Sequence, residues 1–132
     1  MKYYIAYKFS NNKDQEGLKK KLEVIADKFH GWGFETFILG RDIKKWRHIH
    51  LGSIKLIPVI FKSMKGCDAL FAYVDSPTFS KGLFFEVMIS KILGIKSILV
   101  LEHNLKSKFF KHLFNTVKNS TNVEAISKDL LL

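Results

Sequence analysis

Residues 68–102, DALFAYVDSPTFSKGLFFEVMISKILGIKSILVLE, decide the fold. Residues 68–74 are almost wholly apolar after the leading aspartate, which is typical of a central parallel strand buried on both faces. A polar loop follows, and the spacing of apolar residues from Phe79 or Ser80 to Leu93 predicts a helix that Gly94 ends. Residues 96–101 are again apolar, so the stretch predicts a strand, a helix and a second parallel strand.

The same alternation of strands and helices continues on both sides of this stretch. A helix begins near Asp14 and is ended by Gly31 or Gly33, and Pro58 either interrupts the next helix or occupies its first turn. The other predicted elements are a strand at 2–7, a strand at 34–39, a loop with a short helix at 40–53, a helix at 54–65, an amphipathic helix at 109–117, a short last strand at 122–126 and a frayed tail at 129–132.

Strands that alternate with helices predict a three-layer α/β sandwich with a five-stranded, mostly parallel sheet. Right-handed crossovers then give a flavodoxin-like strand order of about 2-1-3-4-5. The 132 residues fit one domain, 1–132. Ligands of such folds bind at the switch point beyond the carboxyl ends of the strands, where residues 7–12 are expected to meet residues 74–82.

Composition limits the classes of function. No apolar run reaches the roughly 18 residues of a membrane span, and the first residues already form a strand pattern, so neither a membrane anchor nor a signal peptide is expected. The single cysteine, Cys67, fits a reducing, cytoplasmic location. The formal charge of +10 indicates an anionic ligand, nucleic acid or only solubility. Because the cations are spread along the chain, nucleic acid is possible but not favoured.

Ser80, Lys81 and Gly82 lie at the predicted amino terminus of the central helix. Backbone N–H groups and the helix dipole favour an anion there, Gly82 allows a close approach, and Ser80 adds a hydroxyl. The alternative interpretation is that Ser80 only caps the helix.

Glu86 is the lone carboxylate of this helix. Leu83, Ile89 and Leu93 share its face at helical spacing, so the carboxylate is expected to be partly desolvated, which raises the pKa of a carboxyl group. Carboxylates attack anomeric carbons in retaining glycosidases. The alternative interpretation is an exposed helix acid.

Three features carry a resemblance to a known family. They are the opening YYIAYKFS (3–10), the central DALFAYVDSP (68–77), and the pattern S-x-G-x-x-x-E formed by Ser80, Gly82 and Glu86 and followed by ISKILGIKSILVLE. In these three features the chain resembles the nucleoside 2-deoxyribosyltransferase superfamily. Within that superfamily, the S-x-G-x-x-x-E motif most closely resembles that of the 2'-deoxynucleoside 5'-monophosphate N-glycosidases. The resemblance implies that Glu86 is a nucleophile that attacks C1' of a nucleotide.

The resemblance also implies the remaining parts of a site. A serine at position 80, where transferases acting on free nucleosides tend to have aspartate, implies a 5'-phosphate held by Ser80 and Gly82. Lys8 and Ser10 can add phosphate contacts, and Tyr7, at the end of the first strand, is expected to reach the ligand. Family members form dimers, so a homodimer is expected, with no metal and no organic cofactor.

The chain departs from the family at one point. The family commonly has an aspartate about eight residues before the leading Asp of the central strand, and this aspartate acts on the leaving base. In this chain the corresponding position, counted back from Asp68, is Ile60. Asp75 or Asp42 can replace it.

The leading prediction is therefore an enzyme that cleaves or transfers at the N-glycosidic bond of a small-molecule (deoxy)nucleoside 5'-monophosphate. The alternatives are a non-catalytic nucleotide-sensing module of the same fold, a basic nucleic-acid-binding protein, and an enzyme that cleaves NAD. His48 and His50 offer a weaker possibility of a metal site, and Trp46 lies in a basic segment where it can stack on a base.

Overall fold

The computed structural model describes residues 1–8, 15–43, 56–75, 81–102 and 112–131. Within these ranges five parallel strands form one sheet in the order β2-β1-β3-β4-β5. The strands are β1 (Lys2–Lys8), β2 (Glu35–Ile38), β3 (Ala69–Val74), β4 (Lys96–Glu102) and β5 (Thr116–Ser120). The predicted α/β class and strand order are confirmed.

The described helices lie in two layers against this sheet. They are α1 (Gln15–Gly31), the short α2 (Leu39–Asp42), α3 (Ile57–Lys65) and α4 (Lys81–Leu93), with 3₁₀ helices at Val123–Ala125 and Lys128–Leu131. Because side chains alternate along a strand, strands β1 to β4 contribute to both layers. The α1 face and the α3–α4 face each have their own buried cluster.

The α1 layer is built on an apolar stripe at helical spacing. Leu18, Leu22, Ile25 and Phe29 recur at i, i+4, i+7 and i+11 and are all buried. The Phe29 ring packs edge-on against two aromatic rings of the sheet, with ring centroids 5.0 Å from those of Tyr3 and Phe71. This layer also buries the carboxyl-terminal residues Val123, Ile126 and Leu131.

The opposite layer packs α3 and α4 on the even-numbered residues of β1. Tyr4 and Ala6 face this layer, as do Leu70, Ala72 and Val74 of β3. The α3 helix contributes Ile60 and Met64 and the α4 helix contributes Leu83 and Val87. The alternation of β1 therefore separates Tyr4, which faces α4, from Tyr3, which faces α1.

Proline and glycine mark the helix ends that the sequence indicated. Pro58 lies in the first turn of α3, where it needs no N–H donor, so the second interpretation of this residue is confirmed. Gly94 follows α4 with a φ of 71°, the left-handed conformation that favours glycine.

The predictions for the carboxyl-terminal residues are wrong. The predicted helix at 109–117 is contradicted by β5, because Val117 pairs with Leu99 of β4; residues 109–111 lie outside the described ranges. Asn115 also bridges to β4, where its Oδ1 accepts the Ser97 N–H at 2.8 Å. These contacts are distant in sequence and override the local helical spacing.

The predictions for residues 122–126 and 129–132 are also wrong. The strand predicted at 122–126 is instead a 3₁₀ helix, capped by Asn122 Oδ1, which accepts the Ala125 N–H at 2.9 Å. The tail predicted to fray forms a second 3₁₀ helix, and Leu131 is only 6% exposed. Burial of this leucine against the α1 layer explains why the tail is ordered.

We predict that Gly94→Ala lowers the free energy of unfolding by about 1–2 kcal/mol, because an L-residue is strained at this φ. A Cβ at position 94 meets nothing within 4 Å, so the effect is conformational rather than steric. Urea denaturation measures it. Gly31→Ala is the matched control, since its Cβ also meets nothing within 4 Å and its φ is not positive. Equal effects of the two substitutions contradict the prediction.

Candidate active site

Glu86 projects from α4 toward the sheet. The helix begins at Lys81, so Glu86 lies in its second turn, on the same side as the buried residues Leu83, Val87 and Ser90. The glutamate is only 9% exposed. The helix therefore places this carboxylate in the α3–α4 layer, not at the solvent-facing surface.

Tyr4 of β1 faces Glu86 from the sheet. Tyr4 is fully buried, and burial, followed by the charge of Glu86 and hydrogen bonding to it, raises the pKa of the phenol well above its usual value. The contact between the Tyr4 hydroxyl and Glu86 does not meet the standard geometry of a hydrogen bond. A phenol in this environment keeps its proton at neutral pH, so it presents a hydrogen-bond donor to the carboxylate.

Tyr7 approaches Glu86 from the end of β1. Burial and then the negative charge of Glu86 raise the pKa of Tyr7 above its usual value, and Tyr7 in turn contributes to raising the pKa of Tyr4. Tyr7 is partly buried and packs against the α1-side cluster. Tyr7 therefore lies at the end of β1 beside β3, at the switch point of the sheet and within the electrostatic influence of Glu86.

Asp75 directly follows β3 and faces the other layer. Its backbone N–H donates to the Lys8 carbonyl at 2.9 Å, which continues the pairing of β3 with β1. Its carboxylate Oδ2 accepts a hydrogen bond from Lys21 Nζ of α1 at 3.0 Å, and its side chain is only 5% exposed. Asp75 is therefore an ion-paired acceptor on the α1 face, whereas Glu86 lies on the α4 face.

Asp42 ends α2 beside the edge strand β2. Its Oδ2 accepts the Ile38 N–H at 2.8 Å, and Arg41 donates to both carboxylate oxygens, at 3.0 and 2.9 Å. Arg41 also donates to the Thr36 carbonyl at 2.6 Å. These contacts brace the turn after β2, and contact of Asp42 with a ligand stays a prediction.

The remaining predicted residues are only partly covered by the structure. Gly82 is the second residue of α4 and is half-buried, while Lys8 is half-buried at the end of β1. Ser10 and Ser80 lie outside the described residues, as do Trp46, His48 and His50. Across the described ranges no group of three or more His, Cys, Asp or Glu side chains is placed to hold a metal ion.

The sequence singled out Tyr7 of β1 and gave no role to Tyr4, which lies beside Glu86. Strand alternation contained the signal. In a parallel sheet with right-handed crossovers, the helix after β1 and the helix after β3 cover opposite faces when β2 and β4 lie on opposite sides. In the structure it is the even-numbered residues of β1, Tyr4 and Ala6, that face the helix carrying Glu86.

A groove of about 380 Å³ lies away from this site. It is at the edge where β1 and β2 begin, and its lining includes Lys2, Asp27, His30, Glu35 and Arg41. Its charged side chains have mixed signs, and the Arg41 guanidinium is already bound to Thr36 and Asp42. We assign no ligand to this groove.

The sheet order and a buried carboxylate beside the end of β1 define a flavodoxin-like α/β protein with a candidate site at its switch point. Neither a family model nor a curated protein matches the sequence. Among solved structures the chain is similar to the CMP N-glycosidase BcmB of Clostridium botulinum, with a TM-score of 0.64 and 18% identity over 95% of this chain and 93% of that one. The likeness shows a shared fold.

Three expectations from the sequence concern membranes, assembly and location. No helix within the described ranges is both long and apolar enough to cross a membrane. Homodimer formation and a cytoplasmic location stay predictions.

We predict that Lys21→Met lowers the free energy of unfolding by about 1–3 kcal/mol, because it removes the ammonium group from a nearly buried carboxylate. Lys19→Met is the matched control on the same helix. The Lys19–Glu23 pair is exposed and 3.9 Å apart, so its loss is expected to cost about 0.5 kcal/mol or less. Chemical denaturation of both variants measures the difference, and equal losses contradict a structural role for the Lys21–Asp75 pair.

Proposed function

We propose that this protein cleaves or transfers at the N-glycosidic bond of a nucleoside 5'-monophosphate, with Glu86 as the nucleophile. The observation that carries the proposal is the buried Glu86 carboxylate, which lies beside the phenol of Tyr4 and whose charge raises the pKa of Tyr7 at the end of β1. The fold shared with a CMP N-glycosidase supports the same class of reaction.

The proposed reaction has two steps. A Glu86 oxygen attacks C1' of the sugar, the C1'–N bond breaks, and its electron pair leaves with the base. Water, or a second base, then attacks C1' of the glycosyl ester and regenerates the carboxylate. Water gives hydrolysis and a second base gives transfer.

Tyr4 is proposed to position the nucleophile. Its protonated hydroxyl can donate to one Glu86 oxygen, which stabilises the ionised carboxylate and leaves the second oxygen directed at the sugar. The Tyr4 hydroxyl and the Glu86 carboxylate do not meet the standard geometry of a hydrogen bond. Catalytic hydrogen bonds are often long or poorly aligned and tighten only in the complex with substrate. Tyr7, at the end of the strand, is proposed to line the sugar and the base.

The phosphate is proposed to bind at the amino terminus of α4, through Ser80 and Gly82. The positive end of the helix dipole supports an anion at this position. Lys8, at the end of the neighbouring β1, and Ser10 are proposed as further contacts. The formal charge of +10 also favours an anionic ligand.

Asp75 and Asp42 are the candidates for the second carboxylate of the site. We propose that Asp75 lines the sugar as a hydrogen-bond acceptor, since Lys21 engages its carboxylate. Asp42 is equally engaged by Arg41. These two ion pairs are the observation that favours the second candidate function, a nucleotide-sensing module that binds without cleaving.

We predict that Glu86→Gln reduces release of free base to about a thousandth of the wild-type rate or less, because the amide is not a nucleophile. The assay follows free base from a panel of ribo- and deoxyribonucleoside 5'-monophosphates with NAD included. Glu23→Gln, an exposed acid of α1, is the control and should keep full activity.

The same assay separates the two candidate functions. Binding of a nucleotide without Glu86-dependent release of base favours the sensing module and contradicts the enzyme. Release from NAD alone favours an NAD-cleaving enzyme.

We predict that Tyr4→Phe lowers kcat by about 10- to 100-fold while KM changes little, because the carboxylate loses the donor that orients it. The ring and its packing are kept, and the hydroxyl makes no hydrogen bond of standard geometry, so thermal stability should change little. Tyr3→Phe, on the opposite face of the same strand, is the control. A kcat equal to that of the wild type refutes a positioning role for Tyr4.

A further inference from the structure

The strand β2 lies at one edge of the sheet that the described residues form. Only every second residue of β2 pairs with β1, because the backbone N–H and C=O groups of a strand point alternately to its two sides. The Glu35 N–H donates to the Met1 carbonyl at 3.0 Å, so Glu35 and Phe37 face β1. The backbone groups of Thr36 and Ile38 therefore point away from β1 and form the outer edge of β2.

Two side chains of α2 bind these outward groups. Arg41 Nη2 donates to the Thr36 carbonyl at 2.6 Å, and Arg41 Nη1 donates to Thr36 Oγ1 at 3.2 Å. Asp42 Oδ2 accepts the Ile38 N–H at 2.8 Å. The two side chains also bind each other, with 2.9 Å between Arg41 Nη2 and Asp42 Oδ2. One ion pair thus engages an outward acceptor and an outward donor of the same strand.

The sequence of this edge favours association with another strand. Residues 34–39, FETFIL, are rich in aromatic and β-branched residues and carry no proline and a single charge. Outward N–H and C=O groups on such a strand are a template for pairing with a further chain. Proteins commonly protect a sheet edge with charged side chains or with a covering helix or loop. The short helix α2 directly follows β2 and supplies two charged side chains at this edge.

We propose that the Arg41–Asp42 ion pair blocks the outer edge of β2 against pairing with β2 of a second copy of this chain. A twofold axis beside Phe37 would bring the two identical edges together in antiparallel register. Thr36 of one copy would then lie opposite Ile38 of the other, and the Ile38 N–H would donate to the Thr36 carbonyl. These are the two backbone groups that Asp42 and Arg41 bind. This role is independent of the function proposed for Glu86.

The double substitution Arg41→Met/Asp42→Ala removes the ion pair and tests its role. The matched control is Lys19→Met/Glu23→Ala, which removes an exposed ion pair from α1 and, like the test variant, leaves the net charge unchanged. Sedimentation velocity measures the weight-average mass of each protein over a range of micromolar concentrations. Circular dichroism checks that each variant is folded.

We predict that the weight-average mass of Arg41→Met/Asp42→Ala rises at least about twofold above that of the wild type at the highest concentration, because a second copy pairs with the opened edge. The control should keep the mass of the wild type. Adding Thr36→Pro to the double variant should reverse the rise. The Thr36 N–H points outward, so proline takes no hydrogen bond from β1 but removes a donor from the outer edge.

Two results would overturn this role of the ion pair. One is a folded double variant whose mass equals that of the wild type at every concentration. The other is a rise in mass that Thr36→Pro does not reverse, since that result places the association on another surface or in unfolded chains. If the double variant does not fold, Arg41→Met alone is measured in the same way, and an unchanged mass again overturns the proposal.

Discussion

A carboxylate can remain buried between a helix and a sheet only if polar groups compensate for the water it has lost. Glu86 meets this constraint with phenols, because Tyr4 and Tyr7 both lie within the influence of its charge. Phenols carry no charge of their own at neutral pH, so they stabilise the carboxylate without neutralising it. On the other face of the sheet, the Asp75 carboxylate accepts a hydrogen bond from the ammonium group of Lys21. The chemistry proposed for Glu86 depends on its burial beside the phenol of Tyr4.

The packing of α4 fixes the direction of this carboxylate. Leu83 and Val87 are almost fully buried on the same side of the helix, and burial of such side chains contributes about 1.5–3 kcal/mol each. A rotation of the helix that exposed Glu86 would also withdraw these leucine and valine side chains from the sheet. The position of the candidate nucleophile is therefore determined by the hydrophobic core, and the orientation of the site and the stability of the fold have a common origin.

The sequence predicted what local patterns determine. Apolar runs identified β3 and β4, glycines marked where α1 and α4 end, and the lone acid of α4 was expected to be desolvated. The errors lie where contacts between distant residues decide the structure. The spacing of Leu113, Phe114 and Val117 is compatible with a helix, yet pairing with β4 and the Asn115–Ser97 bridge make this region a strand preceded by turns. The role of Tyr4 required knowing which face of β1 the later helix α4 covers.

The two faces of the sheet handle charge in different ways, and this bears on the function of the site. On the α1 face, Lys21 links a helix to the end of β3 through a nearly buried carboxylate, which is a structural use of an ion pair. On the α4 face, the carboxylate of Glu86 is buried between the helix and the sheet and lies beside the phenol of Tyr4, an arrangement that adds little to stability. Natural proteins commonly retain such locally unfavourable groups where a function requires them. This contrast within one sheet, rather than the acidity of either residue alone, is the reason that we propose Glu86 as the nucleophile.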